Sequence, residues 1–222
     1  MKISVVIPAY NEERYIKACL DSLQKQVKKP YEIIVVDNNS TDKTAEIVKN
    51  YKNVKLLKQK IKGTIATRNL GFDSAKGDII ARCDADTVVS PDWVKNIAND
   101  FKKSNSIVGV SNLIVMSGIL ERFKFLFYIY MFVPRRFLGY HSLVGPSMAI
   151  RKDAWNKIRK ELCTDNKAVH EDVDVAFHIK KLGDIYFDKD NVAITSSRRV
   201  KHNPWSFFVE YPIRFFRMLG SH

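Results

Sequence analysis

Two periods alternate along the first hundred or so residues. Short apolar, largely β-branched runs at 2–7, 31–36, 54–57 and 78–83 are separated by stretches whose apolar positions return every three or four residues. Ile16, Leu20, Leu23 and Val27 recur at helical spacing, so residues 13–27 are expected to form a helix with one buried face. Ala45, Val48 and Tyr51 mark a second helix, and residues 64–76 a third that Gly77 closes. Ser90-Pro91-Asp92 reads as an N-cap and first-position proline opening a fourth. Strands alternating with helices predict βαβ units on a mostly parallel, Rossmann-like sheet flanked by helices, an α/β fold. Beyond residue 105 the pattern loosens. Strands are expected at 107–115 and 144–151, a helix at 172–182 and a flexible polar stretch at 195–203. Two stretches, 119–138 and 201–219, are aromatic and basic and read as helices near the C-terminal end of the fold.

Composition narrows the class. A chain of 222 residues, 45% hydrophobic, can bury a sizeable core as one domain. Its 37 Lys and Arg against 24 Asp and Glu give a formal charge of +13, which favours polyanions, diphosphates or anionic membrane surfaces as partners. Three widely spaced cysteines, Cys19, Cys83 and Cys163, without a C-x-x-C, point away from a disulfide framework or structural zinc and towards a reducing compartment. No secretion signal is expected, because the short apolar run after Lys2 meets Pro8. The longest uncharged apolar run, residues 125–133, is far shorter than the roughly 20 residues a membrane-spanning helix needs.

The candidate chemistry lies in acidic clusters. Asp84-Ala85-Asp86 ends an apolar strand, where open α/β sheets bind ligands, and hard carboxylate oxygens there suit Mg²⁺ or Mn²⁺ better than zinc. Glu171-Asp172 opens a helix; acids at that place also simply favour the helix dipole. Pro8-Ala9-Tyr10-Asn11-Glu12-Glu13 leaves the first strand without the G-x-G-x-x-G of a dinucleotide fold. Asp37-Asn38-Asn39-Ser40-Thr41-Asp42 leaves the second, with short polar side chains suited to a nucleobase or ribose or to capping the next helix. Arg68 falls in the third helix near the same rim. Arg198, Arg199 and His202 stand in the polar stretch, and Gly145 could let a substrate approach the backbone closely.

Taken together, Val5-Val6-Ile7-Pro8-Ala9-Tyr10-Asn11-Glu12, Val35-Val36-Asp37-Asn38-Asn39-Ser40-Thr41-Asp42, Ala66-Thr67-Arg68-Asn69-Leu70-Gly71, Asp84-Ala85-Asp86 and Glu171-Asp172 resemble the family 2 glycosyltransferases, which have the GT-A fold. The resemblance implies an inverting transfer of a sugar from a UDP- or GDP-linked donor to an acceptor hydroxyl, with a lipid-linked acceptor compatible with the aromatic stretches. It implies that Pro8, Glu12, Asp37, Asn38 and Arg68 hold the nucleoside, with Ala9, Tyr10 and Ala85 lining the same site. Asp84 would touch ribose or metal, Asp86 would ligate Mn²⁺ or Mg²⁺, and Arg198 and Arg199 would meet the diphosphate, with His202 a further candidate ligand. Asp172 would be the base, Glu171 its neighbour in catalysis, and Gly145-Pro146-Ser147 would lie beneath the acceptor. Many relatives have Asp-Asp where this chain has Asp37-Asn38, which leaves the donor base open.

On this reading the chain is one domain. Residues 1–103 bind the nucleotide sugar, 104–200 carry acceptor and catalysis, and 201–222 form a membrane-associated tail. It works in the cytoplasm, peripherally at the cytosolic membrane face. Two other readings compete. A sugar-nucleotide-forming nucleotidyltransferase would need a glycine-rich phosphate loop that residues 8–13 lack. A non-enzymatic, basic nucleic-acid binder would stack bases on the aromatics, but the chain has no recognisable motif for it and no nucleic-acid partner is expected.

Overall fold

The computed structural model describes residues 1–118, 128, 132, 135–166, 169–202, 205 and 213. The chain runs β1 (Ile3–Ala9), α1 (Ile16–Gln24), β2 (Glu32–Asp37), α2 (Thr44–Lys49), β3 (Val54–Lys58), α3 (Thr64–Ser74), β4 (Ile79–Cys83), β5 (Thr87–Val89), α4 (Trp93–Lys103) and β6 (Ile107–Met116). It continues through β7 (Ser147–Arg151), α5 (Lys152–Ile158), α6 (Glu171–Lys180), β8 (Asp184–Thr195) and α7 (Arg198–His202). The eight strands form a single sheet in the order β3-β2-β1-β4-β7-β6-β8-β5. Strands β1 to β4 pair in parallel, as do β6 and β8, whereas β7 runs antiparallel to β4 and β6, and β5 to β8.

The apolar runs are nearly continuous because the sheet is covered on both faces. Val5 and Ile7 pack with Leu20, Val48, Trp93 and Phe101 of α1, α2 and α4, while Val6 between them packs with Phe72, Trp155 and Val175 of α3, α5 and α6. Helix α3 lies so close that a Cβ on Gly71 would come within 2.3 Å of a Val6 methyl carbon, which explains a glycine inside a helix there.

The structure corrects several expectations. Helix α1 is shorter than residues 13–27, and Val27 lies outside it and is exposed. Residues 12–15 instead form a turn in which Glu12 O accepts from the N–H of Tyr15 and Ile16, both at 2.9 Å. Ser90 caps nothing: α4 begins at Trp93, whose N–H reaches Ser90 O at 3.0 Å, and Asp92 makes no capping side-chain bond. Helix α3 ends at Ser74 with Ala75 extended, before Gly77. Residues 195–203 are not simply a loop, since Thr195 closes β8 and Arg198–His202 is helical. Strands β5 and β8 and helix α5 were not foreseen. The aromatic stretches lie mostly outside the described residues.

Candidate active site

Three parallel neighbours, β2, β1 and β4, end at Asp37, Ala9 and Cys83, so their carboxyl ends open on one rim. The chain leaves β1 towards β2 on one side and returns as β4 on the other, the switch point at which such sheets bind ligands. The two loops above β1 and β2 are interlocked. Asn11, at φ 54°, donates its N–H to Ser40 Oγ (3.0 Å), and its Oδ1 accepts from Thr41 N–H (2.8 Å). Glu12 N–H donates to Thr44 Oγ1 (2.7 Å), and Glu13 N–H to Asp42 Oδ2 (3.0 Å). Pro8 and Ala9 sit in the strand end, Tyr10 is exposed on the rim, and Asp37 is buried, accepting Ser40 N–H at 3.1 Å. Asn38 is spent on structure: its amide donates to Gln59 O (3.2 Å) and Ile61 O (2.7 Å), and its Oδ1 accepts from Gly63 N–H (2.9 Å). That arrangement shapes the 59–63 loop.

Past β4, Ala85 is buried and Asp84 and Asp86 flank it. Asp86 Oδ1 accepts from Thr195 Oγ1 (3.2 Å), and Ser196 N–H donates to its main-chain O (3.2 Å). The Arg198 guanidinium bridges two acids, Nε lying 3.3 Å from Asp86 Oδ2 and the fork pairing with Glu12 Oε1, while it stacks 4.9 Å above Tyr15. Even so, burial, with the charges of Asp84 and Glu12, pushes the Asp86 carboxyl up to about 6. Burial also raises Glu12 against the pull of Arg198, and Glu12 Oε2 is buried without a hydrogen-bond partner among the described residues. Three carboxylates are thus held together with too little positive charge, and hard oxygens in that state fit a divalent cation. Among the described residues no three such side chains converge into a complete metal site, so the protein itself could supply an ion with one or two carboxylates. The side chains of Arg199 and His202 lie outside the described ones.

Helix α6 opens with Glu171, Asp172 and Asp174 in its first turn. Asp174 is structural, its Oδ2 accepting Cys163 N–H at 3.0 Å. Glu171 is clamped between two buried arginines: one oxygen pairs with Arg82 Nη1 and the other lies 3.2 Å from Arg68 Nη1. Burial opposes the charge on Glu171, yet Arg82 and Arg68 outweigh it and hold its carboxyl below the usual range. Asp172 accepts from Gly145 N–H (2.9 Å) and Val173 N–H (2.9 Å), and burial, then the neighbouring Glu171 charge, raises it. A carboxylate moved towards neutral pH suits a general base.

Two site expectations fail on position. Arg68 is fully buried, 5.4 Å from the Trp155 ring and bonded to Glu171 O (3.0 Å), so in this structure it supports α6 and is not open at the rim. Ser147 is also fully buried, its Oγ accepting from Trp93 Nε1 and Asn112 Nδ2, both at 2.9 Å, so it ties strands together beneath the site and cannot touch an acceptor. Gly145 is buried and Pro146 partly so. The sequence reading missed Arg82, whose Nη2 reaches Asp84 Oδ1 at 3.0 Å. Its signal was present: a lone arginine within a run otherwise fit for a buried strand.

Residues 4–159 match the model of glycosyl transferase family 2. The poly(ribitol-phosphate) β-N-acetylglucosaminyltransferase TarS of Staphylococcus aureus (strain Mu50) is 36% identical over 129 residues, 55% of this chain but only 22% of that protein. The mannosyltransferase PcManGT of Pyrobaculum calidifontis, solved with GDP-Man and Mn²⁺, superposes over 100% of this chain and 64% of its own at 20% identity and a TM-score of 0.79. Glucosyl-3-phosphoglycerate synthase of Mycobacterium tuberculosis, solved with Mn²⁺, UDP and phosphoglyceric acid, covers 99% of this chain and 78% of its own at 20% identity and a TM-score of 0.70. The architecture is therefore the GT-A fold, and the chain spans well under two thirds of the curated relative it matches.

Proposed function

The chain belongs to glycosyl transferase family 2, and on that premise we propose that it transfers a sugar from a nucleoside-diphosphate sugar, UDP- or GDP-linked, to an acceptor hydroxyl with inversion at the anomeric carbon. One observation carries the reading. Asp84, just past β4, and Glu171, the first of the acids that open α6, are 87 positions apart in sequence and meet at a single guanidinium, that of Arg82, which supports reading the two acidic clusters as one site.

On the donor side, the rim loops of residues 8–13 and 37–44 would take the nucleoside, and Asp84 and Asp86 would hold Mn²⁺ or Mg²⁺. What the bound ion would supply is positive charge against the leaving diphosphate. Arg198, already paired with Asp86 and Glu12, would add its own charge to the diphosphate. On the acceptor side Asp172 takes the hydroxyl proton as that oxygen attacks the anomeric carbon from the face opposite the diphosphate. The new C–O bond forms as the bond to the phosphate oxygen breaks, and the diphosphate departs with the electron pair. Gly145 N–H fixes the Asp172 carboxylate in place.

Peripheral membrane contact and a lipid-linked acceptor are part of the proposal. Their support is the net charge of +13 and the exposure of Phe137 (55%), Trp205 (67%) and Ile213 (51%) in or beside the aromatic, basic stretches. Among the described residues no helix is long and apolar enough to cross a membrane. Thermal shift with UDP, GDP and their sugars, with and without Mn²⁺, tests the donor reading. A ligand at about 100 times its dissociation constant adds roughly 2.7 kcal/mol of stability. No Mn²⁺-dependent shift with any of them would overturn it.

A further inference from the structure

Arg82 sits on a central strand, paired across from Val6 on β1 and Met148 on β7, and is buried. Burying a guanidinium costs several kcal/mol unless carboxylates and hydrogen bonds surround it. Here it has two anionic partners from different parts of the chain. Nη2 lies 3.0 Å from Oδ1 of Asp84, two residues on and just past the strand's end, while Nη1 pairs with Glu171 at the head of α6. Gly145 lies against it, since a Cβ there would stand 2.9 Å from Arg82 Nη2. The same Gly145 donates its N–H to Asp172 at 2.9 Å. Arg68 also neutralises Glu171, so holding Glu171 alone would not require Arg82 to reach for the rim.

We propose that Arg82 is a positioning residue for the transfer reaction: its fork ties Asp84 on the donor side to Glu171 beside the base, and its bulk against Gly145 seats the N–H that holds Asp172. The proposal rests on the donor and base assignments above. Its consequence is coupling. Asp84 and Glu171 share one guanidinium, so a change at Glu171 alters what Asp84 can offer to a metal-bound diphosphate, although Glu171 touches no donor group. Lysine, with a single point charge, cannot make that fork.

The test is calorimetric affinity for UDP and for GDP, each with Mn²⁺, in the wild type, Glu171→Gln, Arg82→Met and the double variant. With Glu171 neutralised, the guanidinium closes on Asp84, and nucleotide binding should weaken about tenfold, within the range of coupling between contacting residues. In the Arg82→Met background the same Glu171→Gln change should be nearly silent. Equal effects in both backgrounds, or no effect in either, overturn the proposal. Melting temperatures report whether each variant folds. Gly145→Ala removes no charge and gives a second route: it should change the affinity severalfold with Arg82 present and not in Arg82→Met, whereas wild-type affinity with Arg82 present overturns the link. Asp172→Asn keeps the two readings separable. Full transfer in that variant removes the base assignment, while the coupling stands or falls on the binding data. A wild type that binds neither nucleotide with Mn²⁺ overturns the donor reading and this proposal with it.

Discussion

Asp172 and Asp86 are both carboxylates raised by burial, and their different neighbours separate what each can do. Asp172 keeps two backbone N–H donors, those of Gly145 and Val173. Its replacement by Asn should cut transfer by about 10²- to 10⁴-fold, as removal of a general base does, with donor affinity kept. A fall in affinity as large as the fall in turnover would move Asp172 from catalysis to binding. Asp86, pushed to about 6 from an ordinary 3.8, still holds a proton in the native chain where the unfolded chain has released it. Its contribution to stability therefore declines as pH rises from about 4 to 6, and above that a cost on the order of 3 kcal/mol remains. Asp86→Asn should accordingly raise the melting temperature of the ligand-free protein at pH 7 while abolishing Mn²⁺-dependent nucleotide binding. Unchanged metal dependence would remove Asp86 from the ligand set. In the wild type, Mn²⁺-dependent affinity should weaken below about pH 6, where the proton competes with the ion. The acids were legible in sequence because type and place in the chain are enough to mark them. Arg68 was misread because a helix pattern does not show which way one side chain turns at a crowded end, and its guanidinium turns inward to Glu171 and Trp155.

Apart from the three-residue β5, the elements of the first half were legible because both faces of β1, β2 and β4 are covered, leaving plain apolar runs bounded by polar turns. Strand β8 was not. Its middle, Asp188-Lys189-Asp190-Asn191, is a turn-like break in which Asp188 Oδ1 accepts from the N–H of Asp190 (2.9 Å) and Asn191 (3.3 Å), opposite the register shift between Asn112 and Leu113 on β6. A strand interrupted by a bulge shows no single period of two. Ser147 belongs to the same lesson at the element scale, since it knits β7 to β6 and α4 through Asn112 and Trp93. Removing its hydroxyl in Ser147→Ala strands two buried donors, at a cost of about 1–3 kcal/mol each. The expected result is a melting temperature lower by several degrees with wild-type donor affinity and turnover. Lost activity at unchanged stability would return Ser147 to the acceptor site.

Across the whole molecule, one sheet carries both the rim formed by the ends of β1, β2 and β4 and the β6–β7 strand pair, and its two cores each draw on the first and second halves of the chain. We propose that the aromatic, basic flank in which Phe132, Phe137 and Trp205 stand meets a surface. Within that flank, Phe132 packs edge-on to His141 and Phe187 with ring centroids 4.9 and 5.9 Å away, so its loss would also test internal packing. Phe137 and Trp205 are the better probes because both are exposed. If the flank meets a membrane, the protein should sediment with anionic liposomes at low salt, less with neutral ones, and added salt should release part of it, since screening acts on the electrostatic share alone. Replacing Phe137 and Trp205 together by Ser should cut liposome binding at every salt concentration while leaving the melting temperature and Mn²⁺-dependent nucleotide affinity unchanged. Binding that survives the double replacement would assign the attraction to charge alone, and a chain that ignores anionic liposomes would point to a soluble acceptor or to an anchor outside these 222 residues.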